Sequence, residues 1–350
     1  GVAYVYHGSS SGISHTIETI LEANQSASNF GISVACAGDV NGDKFSDVIV
    51  GAENYNSGQS EEGVVFIYHG SAAGINNIAV TMAESNQDFS QFGFSVSSAG
   101  DVNGDGYSDV IVGAYTFDNG QLNEGTAFIY QGSVSGINNV AADTLEPNLV
   151  NIQFGLSVAC AGDINGDGYS DVIVGAQTYD NTETDEGAAY VYFGSGTGIN
   201  IIATAILEIN QAGAQMGRGV ASAGDVNGDG YSDVIVGAYA YDNGQTNEGA
   251  AFVYHGSAAG INTSVAATVE SNQAIANMGI SVASAGDVNG DGYSDVIVGA
   301  NFYNNGQSAE GGAFVYHGSA TGINTTAAAT VESNQAAANM GIAVASAGDV

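Results

Sequence analysis

The sequence predicts an all-β protein made of a repeated four-stranded unit, and three observations support this prediction. A nonapeptide of the form Asp-Val-Asn-Gly-Asp-Gly-Tyr-Ser-Asp, or a close variant, starts every 62 residues, at Asp39, Asp101, Asp163, Asp225 and Asp287. Short segments rich in β-branched and aromatic residues flank every copy, and helical periodicity is absent. A fixed period of this length is typical of repeat architectures, in which each copy stacks on the next.

Four strands can be placed in each period, as the second copy illustrates. The first strand is expected over residues 92–100, the nonapeptide loop follows it, and the second strand covers 108–114. The third strand covers 125–132 and the fourth covers 140–146. A unit of this size fits a blade of a β-propeller, because radial repetition protects the edges of short sheets. We therefore expect a propeller of six or seven blades if the ring closes, or an array that continues into a fibre.

The period divides residues 1–350 into one repeat domain with partial units at both ends. The predicted units are a partial blade over 1–29, full blades over 30–91, 92–153, 154–215, 216–277 and 278–339, and the start of a further blade over 340–350. In this last segment Asp349 opens a sixth nonapeptide. We expect the chain to be an excerpt of a longer protein, or else its closure to be unusual.

The nonapeptide has the residue types and the spacing of a calcium-binding loop. In the second copy, side-chain oxygens recur at Asp101, Asn103, Asp105 and Asp109, and Tyr107 can offer its backbone carbonyl. Hard cations prefer such oxygen ligands, and a flexible set of six or more favours Ca²⁺ over the stricter octahedron of Mg²⁺. Carboxylates crowded into nine residues repel one another, so we expect calcium binding to be coupled to folding.

Five complete calcium sites follow from this spacing, and flanking strands instead of helices distinguish them from EF-hands. Their predicted ligands are Asp39, Asn41, Asp43, Phe45 and Asp47; Asp101, Asn103, Asp105, Tyr107 and Asp109; Asp163, Asn165, Asp167, Tyr169 and Asp171; Asp225, Asn227, Asp229, Tyr231 and Asp233; and Asp287, Asn289, Asp291, Tyr293 and Asp295. The first site carries Lys44 where the others have Gly at the sharp turn, which costs about 1 kcal/mol of backbone strain. We expect the first site to be the weakest.

The charge of the chain excludes several classes of partner. It has 37 acidic residues against two basic ones, Lys44 and Arg218, and a formal net charge of −35. Such a chain repels phosphate backbones and anionic lipids, so neither a nucleic-acid partner nor membrane insertion is expected. Loop sites of moderate calcium affinity suit an extracellular or cell-surface location, because free calcium in the cytosol is low.

Two further features are candidates for partner binding. An aromatic residue recurs in the loop after each second strand, at Tyr55, Phe117, Tyr179, Tyr241 and Tyr303. These rings could stack on sugars or receive a protein partner, or they could pack against the neighbouring blade. Arg218 takes a position that is apolar in the other copies, at Ile32, Phe94, Leu156, Ile280 and Ile342. It marks a single functional site near the propeller axis, or it is a snorkelling side chain or a member of a local ion pair.

The order of motifs in each copy resembles that of a known family. Phe-Gly at Phe30, Phe92 and Phe154, the calcium loop, Val-Ile-Val-Gly-Ala and a later Gly-x-x-Phe/Tyr-Val-Tyr strand resemble the FG-GAP repeats of integrin α-subunit propellers and their bacterial relatives. Two departures are that Met216, Met278 and Met340 replace the Phe, and that no copy has the Pro of Gly-Ala-Pro. The resemblance implies calcium loops on the lower face of the propeller and partner binding on the opposite face.

Repetition also bears on function. A catalytic site needs a distinct constellation of groups, whereas nearly every polar group here recurs in each copy, so we expect the protein not to be an enzyme. The predicted function is an extracellular, calcium-stabilised adhesion or structural module, as part of a surface fibre, a filament or a large adhesin. The alternative is a carbohydrate-binding propeller, lectin-like or accessory to a polysaccharide-degrading enzyme. The expected partner is a protein or a glycan, or another copy in a fibre.

Overall fold

The described residues of the computed structural model, 1–9 and 12–348, form an all-β structure. It contains five antiparallel four-stranded sheets and two sheets of two strands, which confirms the predicted fold class. In each large sheet the four strands lie side by side in the order in which they occur in the chain. Within these ranges no helix is long and apolar enough to cross a bilayer.

Each large sheet occupies one 62-residue period. The strands are β5 Ser33–Gly38, β6 Asp47–Ala52, β7 Val64–Tyr68 and β8 Thr81–Glu84; β9 Ser95–Gly100, β10 Asp109–Ala114, β11 Thr126–Tyr130 and β12 Asp143–Leu145; β13 Phe154–Gly162, β14 Asp171–Ala176, β15 Ala188–Tyr192 and β16 Ala205–Leu207; β17 Met216–Gly224, β18 Asp233–Ala238, β19 Ala250–Tyr254 and β20 Ala267–Glu270; and β21 Met278–Gly286, β22 Asp295–Ala300, β23 Gly312–Tyr316 and β24 Ala329–Glu332.

The two ends of the chain contain less regular structure. The first residues form β1 Ala3–Val5, β2 Gly8–Ser9, β3 Gly12–Ile13 and β4 Thr19–Leu21, in which β1 pairs with β4 and β2 with β3. Near the other end, Met340 makes an isolated bridge to Gly311, and residues 341–348 contain no strand. The sheets therefore do not close into a complete ring. The expected sixth nonapeptide at Asp349 lies outside the described residues, and the start of a further blade over 340–350 stays a prediction.

The two middle strands of each blade are apolar because both of their faces are covered. Every residue of β10 and β11 is buried, whereas β9 and β12 are only partly buried. Val112 of β10 lies opposite Val96 of β9 and Phe128 of β11. The two middle strands therefore show no period-2 alternation, since a strand with two covered faces reads as a continuous apolar run.

Neighbouring blades share their hydrophobic cores. One core cluster joins Ile111 and Ile129 of the second blade to Phe154, Val172 and Tyr190 of the third. The first strands of successive blades, from β5 to β21, also contact one another. Burial of apolar area between blades therefore contributes to stability, as in other stacked repeats.

Met and Phe fill the same space at the start of the first strand. Phe154 and Met216 are both fully buried, and each forms an isolated parallel bridge with the preceding blade, to Gly125 and Gly187 respectively. An unbranched thioether adapts to such a cavity without new polar atoms. The replacement of Phe by Met in the later copies consequently preserves the contact between blades.

Glycine is needed in the second strand because the next blade approaches it closely. A Cβ on Gly113 would lie 1.9 Å from the carbonyl oxygen of Gly155. The hydroxyl of Ser95 donates to the same oxygen over 2.8 Å. Any side chain at Gly113 would separate the two blades.

Candidate metal centre

All five nonapeptides lie at the same end of their blades, between the first and second strands. In the second blade β9 ends at Gly100 and β10 begins at Asp109, with a shift in strand register between Asp109 and Val110. The loop therefore leaves the sheet and returns within nine residues. This places the predicted ligands in a single tight turn.

The first aspartate of the loop holds the turn together. In the second copy, Asp101 Oδ1 accepts the N–H groups of Gly104 and Asp105 over 2.7 and 3.1 Å. Its Oδ2 accepts the N–H of Gly106 over 2.9 Å. In the fifth copy, Asp287 accepts backbone N–H groups in the same way. These bonds lower the pKa of Asp287, and the bond from Gly292 has the largest effect. The loop thus stabilises the ionised form of its first carboxylate.

The third and fifth positions form a second layer of the turn. Asn103 Oδ1 accepts the N–H of Asp105 over 2.9 Å, and Asp105 Oδ1 accepts the N–H of Tyr107 over 3.0 Å. The Asn103 amide also donates to Asp105 Oδ2 over 3.0 Å. Four of the five predicted ligands in this copy are therefore tied together by short-range hydrogen bonds.

The ninth position joins the loop to the rest of the blade. Asp109 is fully buried, and its two oxygens accept the N–H groups of Val102, over 2.9 Å, and Gly132, over 2.8 Å. Burial is the main cause that raises the pKa of Asp109 to about 7, and the charges of Asp105 and Asp101 raise it further.

The ninth-position carboxylates of the third and fourth copies also have a raised pKa. Burial raises the pKa of Asp171 to about 7 and that of Asp233 to about 6, where the nearby His255 lowers it. In the first copy burial also raises the pKa of Asp47. Negative charge at the loop ends is therefore not compensated by the protein alone.

The residues of each loop fit a hard divalent cation by their chemistry. Within residues 1–9 and 12–348 no three Asp, Glu, His or Cys side chains converge in an arrangement that could hold a metal ion. The loop oxygens instead accept backbone N–H groups. A cation would compensate the buried charge of Asp109, whose pKa is raised first by burial and further by Asp105 and Asp101. Asp101, Asn103, Asp105 and Asp109 supply the oxygen atoms that calcium prefers.

One known family model matches a segment of every full repeat. The family model described as FG-GAP repeat matches five segments, residues 30–68, 92–130, 154–192, 216–254 and 278–316. Each match starts at the Phe or Met that opens or shortly precedes the first strand and ends with the third strand. The chain belongs to the FG-GAP repeat family.

Several integrin α-subunits are similar to these FG-GAP repeats. The chain is 36% identical over 160 residues to integrin alpha-6 of Homo sapiens, which covers 45% of the chain and 13% of the relative. It is 34% identical over 224 residues to integrin alpha-V of Gallus gallus, covering 61% of the chain and 20% of the relative. For integrin alpha-5 of Xenopus laevis the identity is 30% over 228 residues, with 62% and 20% covered. The chain thus corresponds to at most a fifth of these relatives' length.

The first FG-GAP repeat differs from the others in its loop. Lys44 has a φ of 74°, in the left-handed region that Gly106 occupies in the second copy with a φ of 89°. Its N–H still donates to Asp39 Oδ2 over 2.7 Å. In the second copy the N–H of Gly104 donates to Asp101 Oδ1. Among the hydrogen bonds of the described residues, the equivalent bond from Gly42 to Asp39 is absent. The expected strain at Lys44 is present, and the weaker affinity of this site stays a prediction.

Successive FG-GAP loops are joined directly, which the sequence did not predict. Ser108 N–H donates to the carbonyl of Asp39 over 2.9 Å, and Ser108 Oγ accepts the N–H of Asp39 over 3.2 Å. The ring of Tyr107 covers Gly42, since a Cβ there would lie 2.7 Å from a ring carbon. The signal was available, because serine recurs at the eighth position of every loop, at Ser46, Ser108, Ser170, Ser232 and Ser294.

The recurring aromatic residues pack within their own FG-GAP blade. Tyr179 lies edge-to-face on Tyr190 of β15, with ring centroids 5.9 Å apart. The others make the same kind of contact at 5.0 to 5.4 Å: Tyr55 with Phe66, Phe117 with Phe128, Tyr241 with Phe252, and Tyr303 with Phe314. All five are partly exposed. Their predicted role in partner binding stays a prediction.

Proposed function

We propose that this chain is an extracellular, calcium-stabilised adhesion module that binds a protein ligand. The observation that carries the proposal is the fivefold recurrence of one loop. In the second copy its buried ninth carboxylate accepts N–H groups from the loop and from Gly132 after the third strand, and its first and fifth carboxylates lie in the same turn. Similarity to integrin α-subunits favours adhesion as the role of such a module.

Calcium would act here on stability. In each loop the oxygens at positions 1, 3, 5 and 9, with the backbone carbonyl at position 7, would hold one ion, giving five ions in the complete loops. The bound ion would compensate carboxylates whose mutual repulsion otherwise opposes folding. Extracellular modules of this kind bind calcium at roughly 10⁻⁴ to 10⁻³ M, a range that extracellular fluid reaches and the cytosol does not.

A calcium titration tests the metal part of the proposal. The chelated protein should bind five ions in isothermal titration calorimetry, and chelation should lower the melting temperature markedly. Asp105→Asn keeps a hydrogen-bond acceptor while it removes one loop charge, so it should reduce the number of ions to four. Asp180→Asn is a matched control, because this exposed carboxylate lies outside the loops and accepts the N–H of Asp185. An identical melt with and without chelator would reject calcium stabilisation.

The adhesion part has its own test. Beads that carry the calcium-loaded protein should attach to a surface coated with the protein ligand and detach in chelator. Attachment that persists in chelator would show that binding of the protein ligand does not require calcium. Beads that aggregate with each other, and not with other surfaces, would instead support self-association into a fibre.

The carbohydrate alternative depends on the five recurring aromatic residues. Their edge-to-face contacts occupy part of each ring, and the exposed remainder is the surface on which a sugar would stack. A glycan array that stays blank in saturating calcium would count against this function and leave the protein ligand as the main proposal.

A further inference from the structure

The first-strand regions of the five full blades, together with residues 342–345, line a channel on the axis of the blades. This axial channel has a volume of about 710 Å³ and is lined at one level by Ile32, Phe94, Leu156, Arg218, Ile280 and Ile342. Its volume lies within the range of about 300 to 1,000 Å³ that is typical of small-ligand sites. A side chain or a small molecule could therefore occupy it.

Arg218 breaks the symmetry of this channel. It is one of two basic residues in the chain, and the five equivalent positions are apolar. It lies near the start of β17, whereas the calcium loop follows the end of that strand at Gly224. Six residues of extended chain span about 20 Å. Arg218 is consequently too far from the loop to belong to the candidate metal centre.

The guanidinium of Arg218 has no anionic partner among the residues that the structure describes. It is half-buried, and its electrostatic neighbours are the hydroxyl groups of Tyr115 and Tyr239. The Tyr239 hydroxyl donates to Gln215. Glu53, in the first blade, accepts the amide of Asn29 over 2.9 Å. A guanidinium stays charged in proteins, and a partly buried charge without a partner is unfavourable.

We propose that the axial channel binds a carboxylate attached to a small apolar group, with Arg218 as the partner of the carboxylate. The planar fork of a guanidinium matches a carboxylate through two parallel hydrogen bonds. The surrounding Ile, Leu and Phe side chains match an apolar body. The net charge of −35 disfavours polyanions, so a ligand with a single negative charge fits best. This inference does not rest on the calcium proposal.

The chain itself supplies the matched variant for a test. Arg218→Ile recreates the residue found at Ile280, so the variant is expected to fold. Phenylacetate and its neutral analogue phenylacetamide are titrated into the calcium-loaded protein and followed by ligand-observed NMR. We expect phenylacetate to bind at least about tenfold more tightly than the amide, and Arg218→Ile to abolish this difference, since a charge-assisted pair supplies a factor of this size.

A second pair of probes separates the two sources of such a carboxylate. A blocked tripeptide with Glu between two Leu represents an acidic side chain of a partner protein, and its Gln analogue is the control. Binding of the Glu peptide alone assigns the site to a protein partner, and binding of phenylacetate alone assigns it to a free acid. Both results support the carboxylate site.

Three outcomes would overturn the inference: equal binding of acid and amide, unchanged affinity in Arg218→Ile, or no binding of either acidic probe at about 10 mM, beyond which a site is too weak to be specific. Should Arg218→Ile not fold, Arg218→Met provides a flexible, neutral replacement. The thermal effect of chelation is measured on the same samples, so failure of the carboxylate site and failure of the calcium proposal are distinguishable.

Discussion

The two ends of the innermost strands differ in how strictly they repeat. At the loop end, every copy has the same Asp, Asn, Asp and Asp at positions 1, 3, 5 and 9. At the other end, one position holds Ile32, Phe94, Leu156, Arg218, Ile280 or Ile342. One end is therefore constrained by its hydrogen bonds, whereas the other can vary without loss of the fold.

Exposure and bonding explain this contrast. Asp109 is fully buried and satisfies two backbone N–H groups, so most replacements would leave these donors unpaired. Ile32 and Ile342 are 45% and 56% exposed, so their replacement changes little packing. We expect stability to depend on the loop end and specificity on the channel end.

Asp109→Ala should have the largest effect on stability. The N–H groups of Val102 and Gly132 would lose their acceptor, and each buried, unpaired donor costs about 1 to 3 kcal/mol. We expect the free energy of unfolding to fall by about 4 kcal/mol in urea titrations with chelator present. Asp105→Ala removes an exposed carboxylate of the same loop and is the control. Equal effects of the two variants would contradict the distinction between a buried and an exposed loop position.

Gly113→Ala should be the next most destabilising change, because its Cβ would meet the carbonyl of Gly155. Overpacking at a rigid backbone contact costs about 1 to 3 kcal/mol. Gly8→Ala is a suitable control, since a Cβ there has no neighbour within 4 Å. The two melting temperatures are compared by calorimetry, and similar values would show that the blades can separate without cost.

Tyr179→Ala should cost about 2 kcal/mol, because the ring buries apolar area and makes an edge-to-face contact with Tyr190. Tyr241→Ala, which removes the contact with Phe252, should behave alike. Thermal melts and glycan binding are measured on both variants. A lost glycan interaction with an unchanged melt would favour the carbohydrate alternative over packing.

Lys44→Gly should give the smallest effect, and of opposite sign. Glycine adopts the φ of 74° without strain, so we expect a gain of about 1 kcal/mol in the free energy of unfolding and about fivefold tighter calcium binding at the first site. Gly106→Lys is the reciprocal variant and should weaken the second site equally. Urea titration and calcium titration measure the two effects. If Lys44→Gly changes neither by more than the experimental error, the first site does not differ from the others.

The sequence was informative where a pattern is local and less so where distant parts meet. Segments rich in β-branched and aromatic residues, separated by turn residues, predicted all four strands of the second blade within a few residues of β9 to β12. The predicted loop residues lie together because nine consecutive residues cannot separate far. In contrast, the Ser108 bond to Asp39 joins residues of different blades, and its geometry depends on how the blades stack. That Arg218 has no anionic partner within residues 1–9 and 12–348 likewise depends on the positions of all surrounding strands.

The contact between Ser108 and Asp39 has a consequence for the number of blades. The same bond recurs from Ser170 to Asp101, from Ser232 to Asp163 and from Ser294 to Asp225. Each blade therefore offers a donor on one side and the matching acceptor on the other, which is a head-to-tail interface. Such an interface produces a ring when successive rotations add up to a full turn and an open helix when they do not. The angle between neighbours, rather than recognition of a particular neighbour, sets how many blades assemble.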